Sequence, residues 1–506
     1  MVPGAPFIAR RPPITVRHLG ARPTKLSSAR KVPAVIMPAG RSRESSAATA
    51  QRIETRVRER ITPTPEELAH VAHVRADLVR AVQHVAEGRH SPLVRALVAG
   101  SAARGTFLRD RLDIDFFLLF PPEPPRAKLE EEGLALAGAI LTNPERKYAE
   151  HPYLRGKFQG YVVDVVPGYS ISDPAKPLSA VDRTPFHDEF LRAHQTPSIV
   201  SEVRLTKLFL RSLGIYGSEA RTEGFSGYLV ELVLLQFGTL HALLEAARVW
   251  RIPVRLCPPG QEPPRLPPDV ALILPDAVDP NRNVASALSR RNLALFILGA
   301  AAYLAHPSEE WFELPTPRRL SLAEALAGVA RRGTHVAVVE VPRPTLVDDT
   351  LYPQLRKAER AIAEETARVG FEVVGSACAA GPNALLVLIE VAHGRLSGVR
   401  VQDGPPAGLD RVGSFLEKWT APGAPASQGP YVREDGRLGI EVRRTERDLE
   451  AVLSSTIPRL SLGKDISPAA NERTQVRALA DQPETPELDG ALVELLGKRL
   501  PWLGPH

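Results

Sequence analysis

GSAARGTFLRDRLDIDFFLLF, residues 100–120, joins a glycine turn to an acidic, then apolar, strand. A Gly-Ser pair is followed, after a gap of eleven residues, by Asp113-Ile114-Asp115 and then by an apolar run. Successive side chains of a strand point to opposite faces, so Asp113 and Asp115 project side by side from one face. Adjacent carboxylates repel, and a divalent cation between them relieves the repulsion. Mg²⁺ suits an all-oxygen site that also takes phosphate. Gly100 and Ser101 form a turn that offers backbone N–H groups and a hydroxyl to a triphosphate.

Working outward, residues 161–166 read YVVDVV, a run of β-branched residues that predicts a second strand. Asp164 is its single charge, and an isolated buried charge is costly. It is therefore placed in the same site as Asp113 and Asp115. Alone, an Asp-x-Asp strand end is usually solvated and a Gly-Ser pair is usually a turn. In this order, and joined by a third carboxylate, they are the parts of a nucleotidyltransferase. Two metals held by the three aspartates would activate an attacking 3′-hydroxyl and stabilise the departing pyrophosphate.

Upstream, residues 65–87 predict a helix. Thr64 caps it, Glu66 and Glu67 sit in the first turn, and Leu68, Val71, Val74, Leu78, Val82 and Val85 recur every three or four residues. Residues 93–98 predict the strand before the Gly-Ser turn. Downstream, residues 204–213, 228–247 and 292–305 read as long helices, interrupted by a Pro-rich loop at 253–268. Strand 335–341, helix 351–369 and strands 371–378 and 383–391 then predict a compact βαββ body. This body is like an RNA-recognition motif in topology, without the aromatic residues that stack bases there.

Further blocks carry a resemblance. HPYLRGKFQGYVVDVVPGY (151–169), SAVDRTPFH (179–187), EVRLTKLFLRSLGIYG (202–217), GFSGYLVELVLLQFG (224–238), RNVASALS (282–289) and VDDTLYPQL (347–355) follow one another in order. Together with the catalytic strands they resemble the archaeal-type (class I) CCA-adding enzymes, tRNA nucleotidyltransferases of the DNA polymerase β superfamily. The resemblance covers roughly residues 62–370 and fades after about 395. It implies an α+β, multidomain chain. A polymerase-β-like palm would occupy 61–196, a helical nucleotide-binding neck 197–330, the βαββ body 331–395 and a divergent tail 396–506.

The same resemblance implies roles. Asp113, Asp115 and Asp164 would be catalytic metal ligands, and the family often has Glu at the first of them. Ser101 and Arg104 would bind the incoming phosphates. His187, Lys207 and Tyr216 match the family's other nucleotide-binding positions, and Arg282 resembles an arginine that helps read the base edge. On periodicity alone Lys207 is a surface charge and Tyr216 a partly buried ring. The implied partners are the tRNA acceptor end, CTP and ATP, with two Mg²⁺, a cytoplasmic location and a homodimer left open.

Composition limits the alternatives. The 506-residue chain is 43% hydrophobic, enough for several cores. It has no apolar run of eighteen residues, so no membrane span is expected. Its two cysteines, Cys257 and Cys378, fit no metal spacing and suggest a reducing cytosol. The net charge of +6 is uneven: residues 1–60 hold 13 Lys or Arg against 3 Asp or Glu, which leaves about −4 on the rest. A tRNA-binding surface must therefore be a local patch, with salt-dependent binding. Residues 1–60, rich in Pro, Arg, Ser and Ala, read as disordered. A basic nucleic-acid-binding tail, a transit peptide and a true start at Met37 compete to explain them.

The expected activity is template-independent addition or repair of the 3′-terminal CCA of tRNA. Two alternatives stand beside it. One is a repurposed nucleotidyltransferase acting on another RNA or making an oligonucleotide signal. The other is a non-catalytic RNA-binding protein, which would have no use for a costly carboxylate cluster.

Overall fold

A computed structural model describes residues 43–109, 112–148, 152–257, 270–316 and 318–503. It divides at Thr316 into two units, and Leu500 onward returns to the first.

The first unit opens with α1 (Arg43–Ile61). This corrects the expectation of disorder up to residue 60, whose first 42 residues lie outside the described part. Ala50, Ile53, Val57 and Ile61 recur at helical spacing and are buried in the core of the helical region. Each large apolar side chain so buried contributes about 1.5–3 kcal/mol. The stripe holds a helix that the Arg-rich average composition disguises. Its polar side is tied down as well: the Tyr303 hydroxyl donates to Glu54 at 3.2 Å, and Arg58 pairs with Glu202 at 2.9 Å.

α2 (Pro65–Gly88) starts at the predicted Thr64, which forms a reciprocal capping box with Glu67. It buries Val74, Leu78, Val82 and Ala86 against a five-stranded sheet. The elements that follow are β1 (Arg95–Ala99), the short α3 (Gly100–Arg104), β2 (Asp113–Phe120), α4 (Arg126–Ile140), β3 (Thr142–Tyr148), β4 (Pro152–Phe158) and β5 (Tyr161–Tyr169). The sheet order is β1-β2-β5-β4-β3. β2 and β5 are parallel, and the other pairs are antiparallel. Both faces of β2 are covered, which is why its sequence after Asp115 is continuously apolar.

Helices follow: α5 (Thr184–His194), α6 (Pro197–Ser212), α7 (Gly227–Phe237), α8 (Leu240–Ala247), the two-residue pair β6 (Val254–Arg255) and β7 (Leu272–Ile273), and α9 (Arg290–Ala305). The single helix expected over 228–247 is two. Gly238, at φ +78°, and the cap Thr239 break it with a bend of 90°. No single described helix is long and apolar enough to cross a membrane.

The second unit contains α10 (Leu322–Arg332), β8 (His335–Pro342), α11 (Asp348–Val369), β9 (Val373–Ala380) and β10 (Ala384–Val391). It continues through β11 (Val399–Pro406), α12 (Arg411–Thr420), β12 (Ala426–Val432) and β13 (Arg437–Arg443). α13 (Leu449–Thr456), α14 (Ile466–Glu472), β14 (Gln475–Ala478) and α15 (Pro486–Leu496) complete it. The βαββ prediction holds for its first elements, but a fourth strand arrives from far downstream, giving the order β14-β8-β10-β9.

α11, α13 and α14 cover one face of that sheet, and α10 and α15 cover the other. The comparison with an RNA-recognition motif therefore fails, because that motif leaves one sheet face open to bases. The boundary set at 395 is corrected too. Only 399–443 form a separate small layer, three strands and α12 around Trp419, Ile440 and Val442. Likewise α10, placed in the neck by its position before 330, belongs to this second unit.

Candidate active site

The site grows from strand register. In the parallel pair β2–β5, Asp115 lies directly beside Asp164. Asp113 is two residues back and so on the same face. In the antiparallel pair β4–β5, Arg155 lies opposite Asp164, which brings it to that face as well. Its guanidinium reaches Asp113 at 2.7 Å and Asp164 at 3.5 Å. Asp115 lies beyond these pairs. Burial, then the neighbouring charges of Asp164 and Asp113, push its carboxyl up to about 6. Asp164 is also raised, chiefly by burial, and its Oδ1 is buried with no hydrogen-bond partner.

Gly100 explains how Asp115 is accommodated. Its φ is +65°, and a Cβ there would stand 2.3 Å from Asp115 Oδ2. Glycine is needed both for the backbone conformation and for the space.

No group of three or more His, Cys, Asp or Glu side chains is already gathered to hold an ion among the described residues. Arg155 stands between two of the three aspartates as the local positive charge. The donors nevertheless fit a hard divalent cation, since all are carboxylate oxygens and one is buried and unsatisfied.

The expected phosphate-binding residues form a second group. Ser101 is the second residue of α3, directly after Gly100. Arg104, three residues after Ser101, does not stand open for phosphate as expected. Its side chain is 7% exposed, its Nε and Nη2 donate to Glu231 at 2.8 and 3.0 Å, and its Nη1 donates to Asp188 at 2.5 Å. Here it is a strut joining α3 to α5 and α7.

Lys207, read from periodicity as a surface charge, is buried. Its ammonium donates to the Thr106 carbonyl at 3.0 Å and lies 3.9 Å from Glu231. Burial lowers its pKa to about 8 despite Glu231. The Tyr216 hydroxyl and the Lys207 side chain both lie over Gly227, where a Cβ would meet them at 3.2 and 3.9 Å. Burial and the Glu231 charge push the Tyr216 phenol up, so it remains a neutral donor.

His187 and Arg282 meet in a third group through a residue that the sequence reading passed over. Asp276 Oδ2 accepts from His187 Nε2 at 2.9 Å and from Arg282 Nη1 at 2.7 Å. The His187 ring also stacks on Tyr228 with centroids 4.0 Å apart. The groups are linked. Asp188, next to His187 in the chain, pairs with Arg104, and the charges of Arg104 and Lys207 both act on Asp115.

Arg155, Asp188, Glu231 and Asp276 are thus the site residues that sequence reasoning missed. A signal existed for Glu231, the single charge in YLVELVLLQF (228–237), by the same logic that picked out Asp164. None existed for Asp276, which looks like an ordinary turn residue after an apolar run.

Paired strands bearing three carboxylates beside a Gly-Ser turn, with buried cations nearby, define a nucleotidyltransferase. Family models agree by segment. "Nucleotidyltransferase domain" matches residues 87–187, "tRNA nucleotidyltransferase, second domain" matches 201–313, and "CCA-adding enzyme, C-terminal domain" matches 332–478. The last match extends well past residue 395, where the resemblance in motifs fades. The "CCA-adding enzyme" of Halobacterium salinarum is 37% identical over 415 residues, 81% of this chain and 90% of that protein. The enzyme of the same name from Haloarcula marismortui is 36% identical over 448 residues, 84% and 95% of the two chains. That of Thermoplasma acidophilum is 33% identical over 410 residues, 80% and 90%. The chain belongs to the archaeal-type CCA-adding enzyme family.

Proposed function

We propose that this chain adds or repairs the 3′-terminal CCA of tRNA without a template, using CTP and ATP in the cytoplasm. What carries this reading is the extent of the likeness, from the catalytic domain through the C-terminal domain specific to CCA-adding enzymes. In each cycle the RNA 3′-hydroxyl releases its proton to solvent, its oxygen bonds to the α-phosphorus, the α–β phosphoanhydride bond breaks, and pyrophosphate leaves with the electron pair.

Asp113, Asp115 and Asp164 would hold two Mg²⁺. Bound there, the ions would supply Lewis acidity toward the attacking and departing oxygens. The backbone N–H groups at Gly100 and Ser101 take the triphosphate charge, and the Lys207 ammonium, buried against Thr106 and Glu231, supports the site through its charge. Asp188 and Glu231 hold Arg104, which in turn braces the turn that carries Ser101. His187 and Arg282 face the base. Positioning and charge compensation, rather than covalent chemistry by the protein, account for the rate.

The test is primer extension on tRNA transcripts that lack all three terminal nucleotides, the last two, or the last one. Ordered addition of C, C and A that then stops supports the reading. Product made only from other RNAs, or from nucleotides without RNA, overturns it.

Lys207 yields a pH prediction. With its pKa lowered to about 8, it is charged below that value and neutral above it. The kcat/KM for CTP and ATP, which reports the free enzyme, is expected to fall about tenfold per pH unit above pH 8. Lys207→Arg, whose charge persists, should move that limb upward by more than one unit. An identical limb in the variant would show that the Lys207 charge does not act on the site.

Arg155 yields a second. It competes with cations for Asp113 and Asp164. Arg155→Ala is expected to melt lower in the absence of metal and to bind Mn²⁺ about three- to tenfold more tightly, as read by electron paramagnetic resonance titration. Unchanged Mn²⁺ affinity would show that Arg155 does not compete for the site.

A further inference from the structure

Asp276 carries more than its place in a turn explains. Its carboxylate is fully excluded from solvent, with 0% exposure, yet it is held ionised at about 2 by its donors against the cost of burial. Four groups converge on it. Oδ2 accepts from His187 Nε2 and Arg282 Nη1, and Oδ1 accepts from the Tyr228 hydroxyl at 2.9 Å and the Val278 N–H at 3.0 Å. These donors come from α5, from α7 and from its own loop. The loop is closed on itself: the Asp276 N–H donates to the Arg282 carbonyl, and the Arg282 N–H donates to the Asp279 carbonyl. Arg183 anchors it from outside at Asp279, 2.8 Å away.

The consequence falls on Arg282. One of its terminal nitrogens is pinned, while its side chain remains 40% exposed. A guanidinium fixed in this way presents its remaining N–H donors in a set direction. Cytosine and adenine share an acceptor ring nitrogen beside an amino group on the Watson–Crick edge. Uracil and guanine carry N–H there instead, and a fixed donor would face a donor. Rejection of that kind requires that the arginine cannot swing away, because a donor free to rotate avoids the mismatch at small cost.

We propose that Asp276 is the residue that sets nucleotide selectivity, acting as a buried positioning anion that locks Arg282 and His187 in one geometry. The inference rests on the proposed function only in taking Arg282 to face the base. It specifies why CTP and ATP are accepted while UTP and GTP are refused.

The test uses the full-length protein on whatever RNA the parent extends, tRNA or another, so that failure of the tRNA reading leaves it intact. The kcat/KM values for CTP, ATP, UTP and GTP are measured for the parent, Asp276→Asn, Arg282→Ala and the double variant, alongside melting temperatures. Asp276→Asn keeps the size and shape of the side chain but replaces the anion. The expected result is a ten- to hundredfold fall in the CTP-to-UTP ratio, equal in the two single variants and not increased in the double, since both remove one unit.

A purely structural role would lower all four nucleotides by one factor together with the melting temperature. That outcome overturns the proposal. So does an unchanged ratio in Asp276→Asn, or full additivity in the double variant. If Asp276→Asn does not fold, Arg282→Lys becomes the deciding variant. Lysine keeps the charge without the planar fork, and an unaltered ratio there would show that a fixed guanidinium is not what selects.

Discussion

Asp115→Asn is expected to lower nucleotide addition by three orders of magnitude or more while leaving a folded protein that melts at or above the parent temperature without metal. The two halves of this result have one cause. Asp115 is driven up to about 6 by burial and by Asp164 and Asp113, so at neutral pH it is ionised at a cost. A carboxylate whose folded-state pKa is raised makes the folded protein less stable as pH rises from its unfolded value, near 4, through about 6. Removing the charge removes that cost, on the order of 1–3 kcal/mol. The same charge is what a divalent ion would bind, so the metal-induced rise in melting temperature should shrink in the variant. Retained turnover would show that the metal site lies elsewhere. A large fall in stability without metal would show that Asp115 is held by favourable contacts rather than strained by like charges.

Gly100→Ala is expected to cost at least a hundredfold in kcat with only about 1 kcal/mol of stability. The added Cβ would stand 2.3 Å from Asp115 Oδ2, far inside contact distance. The obstructing atom is the end of a side chain, so the carboxylate swings aside rather than the strand shifting. A left-handed φ of +65° adds a modest backbone cost for alanine. One methyl group thus moves the Asp115 carboxylate without unmaking the core. The informative comparison is Gly105→Ala, five residues later at φ +70°. There the nearest atom to a new Cβ is 3.7 Å away, so the backbone cost is similar and the clash is absent. Equal loss of activity in the two variants would mean that strain in the turn, rather than displacement of Asp115, is responsible.

The parts of this site that were legible in the sequence are those set by local periodicity. Alternation along a strand placed Asp113 and Asp115 together before any fold was known, and a single charge in YVVDVV pointed to Asp164. The cap at Thr64 and the three- and four-residue spacing after it gave the first long helix of the catalytic domain. Periodicity also existed in the N-terminal helix, at Ala50, Ile53, Val57 and Ile61. It was hidden because the surrounding arginines lower the average apolarity, whereas the stripe itself is what the core buries.

What was not legible depends on pairs far apart in the chain. Arg104 meets Glu231 across 127 positions, and His187 meets Asp276 across 89. No local pattern distinguishes a buried, fully bonded arginine from one that waits for phosphate. Lys207 is a clear case: helical spacing makes it a surface residue, and only its packing against Thr106 and Glu231 buries it.

Three carboxylates on adjacent strands beside a glycine turn follow from the residues alone, because β-strand alternation is a property of the backbone. Which charges stay available for substrate and which neutralise one another is set by long-range packing. A buried ion must find its partner wherever the fold brings one, and for Arg104 and Lys207 that partner is Glu231, on another helix.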